Sequence, residues 1–466
     1  MSREQVLHEV IRAFEEGAFQ RLLESALTYR TESEEPQRKE QQFAYLQVFI
    51  APRLAGLGFD CRVHPNRAAE HCPFLVAERI EDADLPTLLL YGHGDVVRGY
   101  DAQWREGLSP WRLVREDDRL YGRGSADNKG QHLINLLALE QVIQARGGRL
   151  GFNLKLLLEM GEEAGSPGLR EFCEAQREAL AADLFIASDG PRFAAERPTL
   201  FLGCRGACNF ELRLKLRDGA HHSGNWGGLL RNPGILLAHA LAGLVDARGR
   251  LRVDGLRPPE IPEPVRRALA QLEMPAAMPG EPTIDHDWGE PGLTPAERVF
   301  GWNSLEVLAF RTGNPEAPVG AIPGWAVAYC QIRFVPGCDQ QGFLPAIRQH
   351  LRQHGLSEVE VVPAGEVMQA SRLDPDNPWV RWALDSMGRT LGRPATLLPN
   401  LGGSLPNDVF AEVLGLPTLW VPHSYPGCSQ HAANEHLLVP VVREGLRIMA
   451  GLFWDLGDRD ARPAHG

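Results

Sequence analysis

Five short polar clusters along the chain carry the residue types that bind metal ions or move protons. They lie at residues 92–95, 121–130, 162–163, 188–190 and 429–435. Their carboxylates and imidazoles match the oxygen and nitrogen ligands of a hydrolytic zinc or manganese centre. The residues concerned are His93, Asp95, Asp127, Glu162, Glu163, Asp189 and His431. One tetrahedral zinc ion needs fewer ligands than this, so two ions that share one carboxylate are the simplest arrangement.

Taken singly, most of these residues also have a structural interpretation. His93 could be a buried histidine at the end of a strand, and Asp127 could cap the helix that begins near Lys129. Asp189 could be an ordinary turn residue. The adjacent pair Glu162–Glu163 is more informative, because two neighbouring carboxylates at the end of a buried strand repel each other, and a bound cation would stabilise both. The joint occurrence of all five clusters favours a metal site.

Three other kinds of site are excluded by sequence pattern. No G-x-S-x-G string marks a nucleophilic serine, and the nearest candidate, at 402–406, ends in proline. The glycine-rich segment 121–130 resembles a dinucleotide loop, but Asp127 occupies the position of the third glycine. The chain also contains no P-loop string. The metal site is therefore the only one of these chemistries that the sequence supports.

The elements that must position the clusters are short, almost wholly apolar segments. These segments lie at 88–91, 154–160, 184–187 and 200–202. They are typical of strands buried on both faces, and a helix is predicted between two of them, at 129–146. The pattern predicts an α/β catalytic domain with a mixed, mostly parallel sheet and helices on both faces. Ligands bind at the carboxyl edge of such sheets, which is where the polar clusters follow the strands.

After residue 205 the apolar pattern changes to strict alternation, which predicts strands with one solvated face. It occurs at 206–216, 326–335 and 357–361. We therefore predict a catalytic domain at 1–205 and 371–466, interrupted by an α+β lid or dimerisation domain at 206–370. Proline-rich stretches at 258–264 and 275–295 are expected to be surface loops, and 4–30 and 37–57 are expected to be helices.

Composition narrows the class of protein further. The 466 residues include 48 lysines and arginines against 60 aspartates and glutamates, a net charge of −12. Without a basic cluster, neither nucleic acid nor an anionic membrane is expected as a partner. Eight scattered cysteines form no disulfide pattern, and no apolar run is long enough to span a bilayer. A cytoplasmic location is expected.

The order and spacing of the clusters resemble those of a di-zinc metallopeptidase and aminoacylase family. That family includes carnosine dipeptidase, carboxypeptidase G and acetylornithine deacetylase. The resemblance extends over nearly the whole chain and is carried by the segments GHGDVV, GRGSADNKG, EEAGS, SDG and HAANE. It implies two divalent ions per chain. Zinc is favoured, with manganese and cobalt as alternatives.

The resemblance also implies a role for each residue. His93, Asp189 and a bridging Asp127 would hold one ion, and Glu163, His431 and the same Asp127 would hold the other. Glu162 would be the general base, and Asp95 would orient His93. A cis peptide bond after Asp127 is implied as well.

The dipeptidase branch of the family is the most similar, and it implies a homodimer formed through the lid. Within the lid, His222 resembles a residue that enters the opposite subunit's active site, Arg333 resembles a carboxylate-binding arginine, and Ser404 lies in a substrate loop. The chain departs from the branch at 399–401 and 320–321, where substrate would be held.

The expected function is hydrolysis of a peptide or amide bond in a small substrate with a free carboxylate, as in a dipeptidase or carboxypeptidase. An N-acyl or N-carbamoyl amino acid amidohydrolase is the main alternative. A catalytically silent binding protein is a minor one.

Overall fold

A computed structural model describes residues 1–274 and 283–463 of the chain. The polypeptide divides into two compact units. Unit 1 comprises Met1–Gly203, Leu373–Leu398 and Asp408–Gly466, and unit 2 comprises Cys204–Arg372 and Pro399–Asn407. The first part of the loop predicted at 275–295 lies outside the described residues. In the described part of the chain, no helix combines the length and the apolar character needed to cross a membrane.

Nineteen strands are present in the described part of the chain. They are β1 Asp60–His64, β2 Phe74–Arg79, β3 Thr87–His93, β4 Val114–Glu116, β5 Arg119–Tyr121, β6 Asn153–Glu159, β7 Leu184–Ala187, β8 Thr199–Phe201, β9 Gly203–Cys204, β10 Gly206–Lys215, β11 His221–His222, β12 Ser304–Thr312, β13 Ala321–Ile322, β14 Trp325–Phe334, β15 Glu360–Pro363, β16 Ser371–Arg372, β17 Thr396–Leu398, β18 Thr418–Trp420 and β19 His436–Leu438.

Thirteen α-helices connect and cover these strands in the same described residues. They are α1 Arg3–Glu15, α2 Ala18–Leu27, α3 Lys39–Ala44, α4 Ala51–Gly56, α5 Lys129–Ala145, α6 Leu169–Ala175, α7 Ser223–Trp226, α8 Pro233–Leu244, α9 Glu263–Leu269, α10 Pro295–Phe300, α11 Phe343–Gln353, α12 Pro378–Leu391 and α13 Val439–Leu456.

Unit 1 is built on an eight-stranded sheet in the order β1-β2-β6-β3-β7-β18-β8-β17. The central strand β3 runs parallel to both β6 and β7, and β7 runs parallel to β18. Every residue of β6 and β7 is buried, as their apolar sequences predict. Only β1, β2 and the contact between β8 and β18 introduce antiparallel pairing in this sheet. The predicted mixed, mostly parallel α/β class is therefore confirmed.

The two predicted N-terminal helices differ from the observed ones in detail. The single helix expected at 4–30 is two helices, because Gly17 adopts a left-handed backbone with φ 81° between α1 and α2. In the second region, a π-helical segment, Tyr45–Ile50, separates α3 from α4. These helices belong to the core of unit 1, where the side chain of Tyr45 is fully buried.

Unit 2 contains an antiparallel sheet in the order β12-β14-β10-β15. One face of β10 and β14 is buried in a separate apolar core, to which α8 and α11 contribute, and their residues alternate in burial as the sequence pattern predicts. Residues 399–407, which are expected from the sequence to lie in the catalytic domain, belong to unit 2. Their attachment is local: Nε of Arg205 donates to the Gly402 carbonyl at 3.0 Å, and the Ser404 hydroxyl donates to the Arg205 carbonyl at 2.8 Å.

Candidate metal centre

The carboxyl ends of two parallel strands and the start of a helix bring the first group of candidate ligands together. His93 ends β3, and Asp189 follows the end of the neighbouring strand β7. Asp127 immediately precedes the amino end of α5, to which Asn128 is the N-cap. One ligand atom from each of His93, Asp127 and Asp189 lies within 4.8 Å of the others. All three side chains are buried.

A second group shares Asp127 with the first. It consists of Asp127, Glu163 and His431, whose ligand atoms also lie within 4.8 Å of one another. Nε2 of His431 is 3.0 Å from Oδ2 of Asp127 and 3.0 Å from Oε2 of Glu163. Within residues 1–274 and 283–463, these are the two groups of three or more histidine, cysteine or acidic residues with such spacing.

Unpartnered carboxylate oxygens indicate that both groups suit a cation. Oδ2 of Asp189 and Oε1 of Glu163 are buried and have no hydrogen-bond partner among the described residues. Burial and the neighbouring charge of Asp127 raise the pKa of Asp189 to about 6 and that of Glu163 to about 8. Carboxylates that repel one another in this way are stabilised by a divalent ion. Oxygen and imidazole donors, which Asp127 and His93 provide, are the ligands that such ions prefer.

Asp95 supports the site from behind. Its Oδ1 lies 3.2 Å from Nδ1 of His93 and accepts the backbone N–H of Glu162 at 3.2 Å. Its Oδ2 accepts the backbone N–H of Glu163 at 3.0 Å. A carboxylate on one imidazole nitrogen leaves the other free for a metal ion. Asp95 therefore contacts His93, as the resemblance implies, and also holds the turn that carries both glutamates.

Glu162 lies beside the two groups without belonging to either. One of its carboxylate oxygens is 4.0 Å from Nε2 of His93. Burial raises the pKa of Glu162 well above its ordinary value, and the charges of Asp189 and Glu163 reinforce the shift against the opposing charge of His93. A carboxylate with a raised pKa, next to candidate ligands but not one of them, is suited to accept and return a proton.

Asp127 is also held through its backbone and by a second side chain. Its N–H donates to Oε1 of Glu435 at 3.0 Å, and the peptide bond to Asn128 is cis. The amide of Gln430 donates to Oδ2 of Asp127 at 2.5 Å. No sequence pattern predicts these roles for Glu435 and Gln430. Both residues are close to His431 in the sequence, which is a signal that they belong to the site. Spacing alone does not show that they reach Asp127.

The three predicted substrate residues lie in unit 2. Nη1 of Arg333 donates to the hydroxyl of Ser404 at 2.9 Å, so these two are brought together. Burial lowers the pKa of Arg333 from its usual value. His222 is exposed at the end of β11, and among the described residues no hydrogen bond joins it to Arg333 or Ser404.

Comparison with known proteins identifies the family. The model of "Peptidase family M20/M25/M40" matches residues 89–455. A cysteinylglycine-S-conjugate dipeptidase from Corynebacterium striatum is 28% identical over 375 residues, which cover 78% of this chain and 78% of the relative. The human Beta-Ala-His dipeptidase is 26% identical over 411 residues, 82% of this chain and 77% of the relative.

A solved structure agrees with this result at the level of the fold. The M20 family metallo-carboxypeptidase Sso-CP2 from Sulfolobus solfataricus superposes with a TM-score of 0.78 and 24% identity. The match covers 94% of this chain and 99% of that one. The resemblance inferred from the five clusters is confirmed. The chain belongs to peptidase family M20/M25/M40 and is a metallopeptidase.

Proposed function

We propose that the protein is a two-metal dipeptidase. The observation that carries the proposal is the shared carboxylate of Asp127, which belongs to both groups of candidate ligands. One ion would be held by His93, Asp127 and Asp189, and the other by Asp127, Glu163 and His431. When bound, divalent ions polarise a peptide carbonyl and lower the pKa of water.

Glu162 supplies the proton transfers in this proposal. It accepts a proton from the attacking water and returns it to the amine that leaves when the peptide bond breaks. The position of Glu162 suits both steps, because one of its carboxylate oxygens lies 4.0 Å from Nε2 of His93 while the side chain belongs to neither group of candidate ligands. Asp95 keeps the imidazole of His93 in one orientation through its contact with Nδ1.

A dipeptide is the proposed substrate. The names of the relatives support it, since both curated relatives described above are dipeptidases. Arg333 and Ser404 would bind the free carboxylate together. A guanidinium can form two parallel hydrogen bonds to a carboxylate. Ser404 would hold the guanidinium in place, because its hydroxyl accepts a hydrogen bond from Nη1 of Arg333 and donates its own proton to the Arg205 carbonyl. No carboxylate lies within ion-pair distance of Arg333 among the described residues, so its charge is available to a ligand.

A homodimer formed through unit 2 is also proposed. Strand β12 lies at the edge of its sheet, and Val307, Leu308 and Phe310 on this strand are exposed. An exposed apolar edge strand is a template for pairing with another chain, and a second copy offers the same edge. In such a dimer, His222 would contribute to the active site of the partner subunit.

The identity of the ions and the compartment complete the proposal. Zinc is the proposed ion, with manganese or cobalt able to use the same ligands. A reducing compartment such as the cytoplasm is proposed because all eight cysteines are free thiols and six of them are buried.

The function can be tested by metal removal and substrate profiling together. The chelated protein would be reloaded separately with zinc, manganese or cobalt, and its metal content measured beside its activity. Dipeptides would be compared with N-acetyl amino acids that have the same C-terminal residue. We expect activity only at two ions per chain and a clear preference for dipeptides. Hydrolysis of the N-acetyl compounds alone would contradict the dipeptidase assignment, and a Glu162→Gln preparation controls for contaminating peptidases.

A further inference from the structure

The carboxylate of Glu435 accepts four hydrogen bonds, three of them from the backbone that leads to Asp127. Its Oε1 accepts the backbone N–H groups of Ala126 at 2.8 Å and Asp127 at 3.0 Å. Its Oε2 accepts the backbone N–H of Gly124 at 3.1 Å and Nη1 of Arg123 at 2.6 Å. One carboxylate thus fixes the backbone that leads into the shared ligand Asp127.

The guanidinium of Arg123 extends this connection to the segment that carries His431. Nη2 of Arg123 donates to the Ala432 carbonyl at 2.9 Å, one residue beyond His431. The side chains of Arg123 and Glu435 are each only 1% exposed. The buried pair therefore joins two segments, 122–127 and 429–435, that are more than 300 residues apart in the sequence.

The segment 429–435 needs such support because its backbone is strained. Ser429, His431 and Asn434 all have left-handed backbones, with φ between 59° and 64°. Non-glycine residues rarely adopt this conformation, and it persists only where the surrounding structure holds it. One of the strained residues is the candidate ligand His431, and another, Asn434, immediately precedes Glu435.

The two candidate ion sites depend on this segment to different degrees. His93 at the end of β3 is fully buried, and Asp189 lies two residues beyond the end of the buried strand β7. His431 lies on the strained segment and its side chain is 54% exposed. Two of the three residues of the first site are therefore placed by strands of the sheet. Two of the three residues of the second site, Asp127 and His431, lie instead on the segments that Arg123 and Glu435 join.

We propose that Arg123 and Glu435 are positioning residues that set the affinity of the second ion site, formed by Asp127, Glu163 and His431. The proposal rests on the two ion sites of the proposed function. It differs from a purely electrostatic effect, in which Glu435 would attract cations and Arg123 would repel them. The two explanations make opposite predictions for removal of the arginine.

The test measures binding of zinc and of manganese to the chelated full-length protein and two variants, Glu435→Gln and Arg123→Met. If the pair positions His431, both variants weaken the second ion by roughly 10–100-fold and the first ion by a smaller factor. Tighter binding of either metal to Arg123→Met would show an electrostatic effect and overturn the proposal. So would equal weakening of both ions, or unchanged affinity for both.

Asp455→Asn is the matched control, because Asp455 is also a buried carboxylate that accepts hydrogen bonds from an arginine, Arg3. Within the described residues it has no hydrogen bond or ion pair with a candidate ligand. It should leave both ion affinities unchanged. Hydrogen exchange adds a readout without metal: the amides of Ala126 and Asp127 should exchange faster in Glu435→Gln and not in Asp455→Asn. If Glu435→Gln does not fold, Arg123→Lys keeps the charge and must still weaken the second ion selectively.

The same measurements separate this proposal from the proposed function. Failure of the unmodified protein to bind two ions would contradict the two-metal assignment itself. Two tightly bound ions in the unmodified protein, with no selective loss in the variants, would contradict only the positioning role of Arg123 and Glu435.

Discussion

Oδ1 of Asp127 lies 3.1 Å from Nε2 of His93. The other oxygen of the same carboxylate lies 3.0 Å from Nε2 of His431. Hydrogen bonds from the two histidines outweigh the effect of burial and lower the pKa of Asp127. One ionised side chain therefore connects the two groups of candidate ligands.

The first prediction follows from this shared position. Asp127→Ala should lose both ions and all measurable activity, because the carboxylate contributes to both sites. His93→Ala should mainly weaken the ion that it would share with Asp189. Elemental analysis after dialysis against a weak chelator measures the number of ions per chain. Two retained ions and full activity in Asp127→Ala would contradict a bridging role.

The second prediction concerns proton transfer by Glu162. Glu162→Gln should keep both ions and bind substrate, but lower kcat by roughly 10²–10⁴-fold, because the amide cannot accept a proton. Steady-state kinetics on the fully loaded variant measure the loss. Glu163→Gln is the matched control, since the same change at the adjacent residue should instead weaken the second ion. A fully loaded Glu162→Gln enzyme with normal turnover would refute the assignment.

The third prediction tests whether His222 acts across a dimer. Chains carrying His222→Ala or Glu162→Gln should each be nearly inactive alone. In a randomly mixed population about half of the dimers are hybrids, and each hybrid has one intact site, so roughly a quarter of wild-type activity should return. Native mass spectrometry would verify subunit exchange. Exchange without recovery would place His222 outside the partner's active site.

The fourth prediction concerns the substrate carboxylate. Arg333→Met should raise KM for dipeptides by about 10–100-fold, because a charged hydrogen bond is lost, while both ions remain bound. The control is Arg213→Met on β10 of the same sheet, where the arginine is half exposed and pairs with Glu211. That variant should keep the wild-type KM. An unchanged KM for Arg333→Met would exclude a role in substrate binding.

The fifth prediction is a pH-dependent contribution to stability. Asp455 accepts hydrogen bonds from Arg3, Ser386 and Arg389. Burial alone would raise its pKa, but these donors outweigh burial and lower it. The stabilisation is therefore complete above the unfolded-state pKa of about 4 and is lost as the pH falls through the lower folded-state value.

Asp455→Asn should accordingly reduce the free energy of unfolding by roughly 2–3 kcal/mol at pH 7, and by less at pH 3. Urea unfolding at the two pH values measures the difference. Glu16→Ala removes an exposed acid that pairs with Arg12 at 3.9 Å and should change stability by no more than about 0.5 kcal/mol. A loss that is the same at both pH values would contradict a charge effect at Asp455.

The class of the fold and the order of the candidate ligands follow from local patterns in the sequence. Apolar segments such as 184–187 predict strands buried on both faces, and polar residues that follow them must emerge at the carboxyl edge of a parallel sheet. His93 and Asp189 could be placed at one edge for this reason. Alternating segments such as 326–335 identified the antiparallel sheet of unit 2 in the same way.

The way in which distant segments combine becomes visible only in the folded molecule. The pairing of Arg123 with Glu435, the attachment of residues 399–407 to unit 2 and the contact between Arg333 and Ser404 all join segments remote in sequence. Periodicity reports which face of an element is buried, but it carries no information about which remote partner covers that face. Such contacts depend on hydrogen-bond geometry that exists only once both segments are folded, so they could be found only in the folded chain.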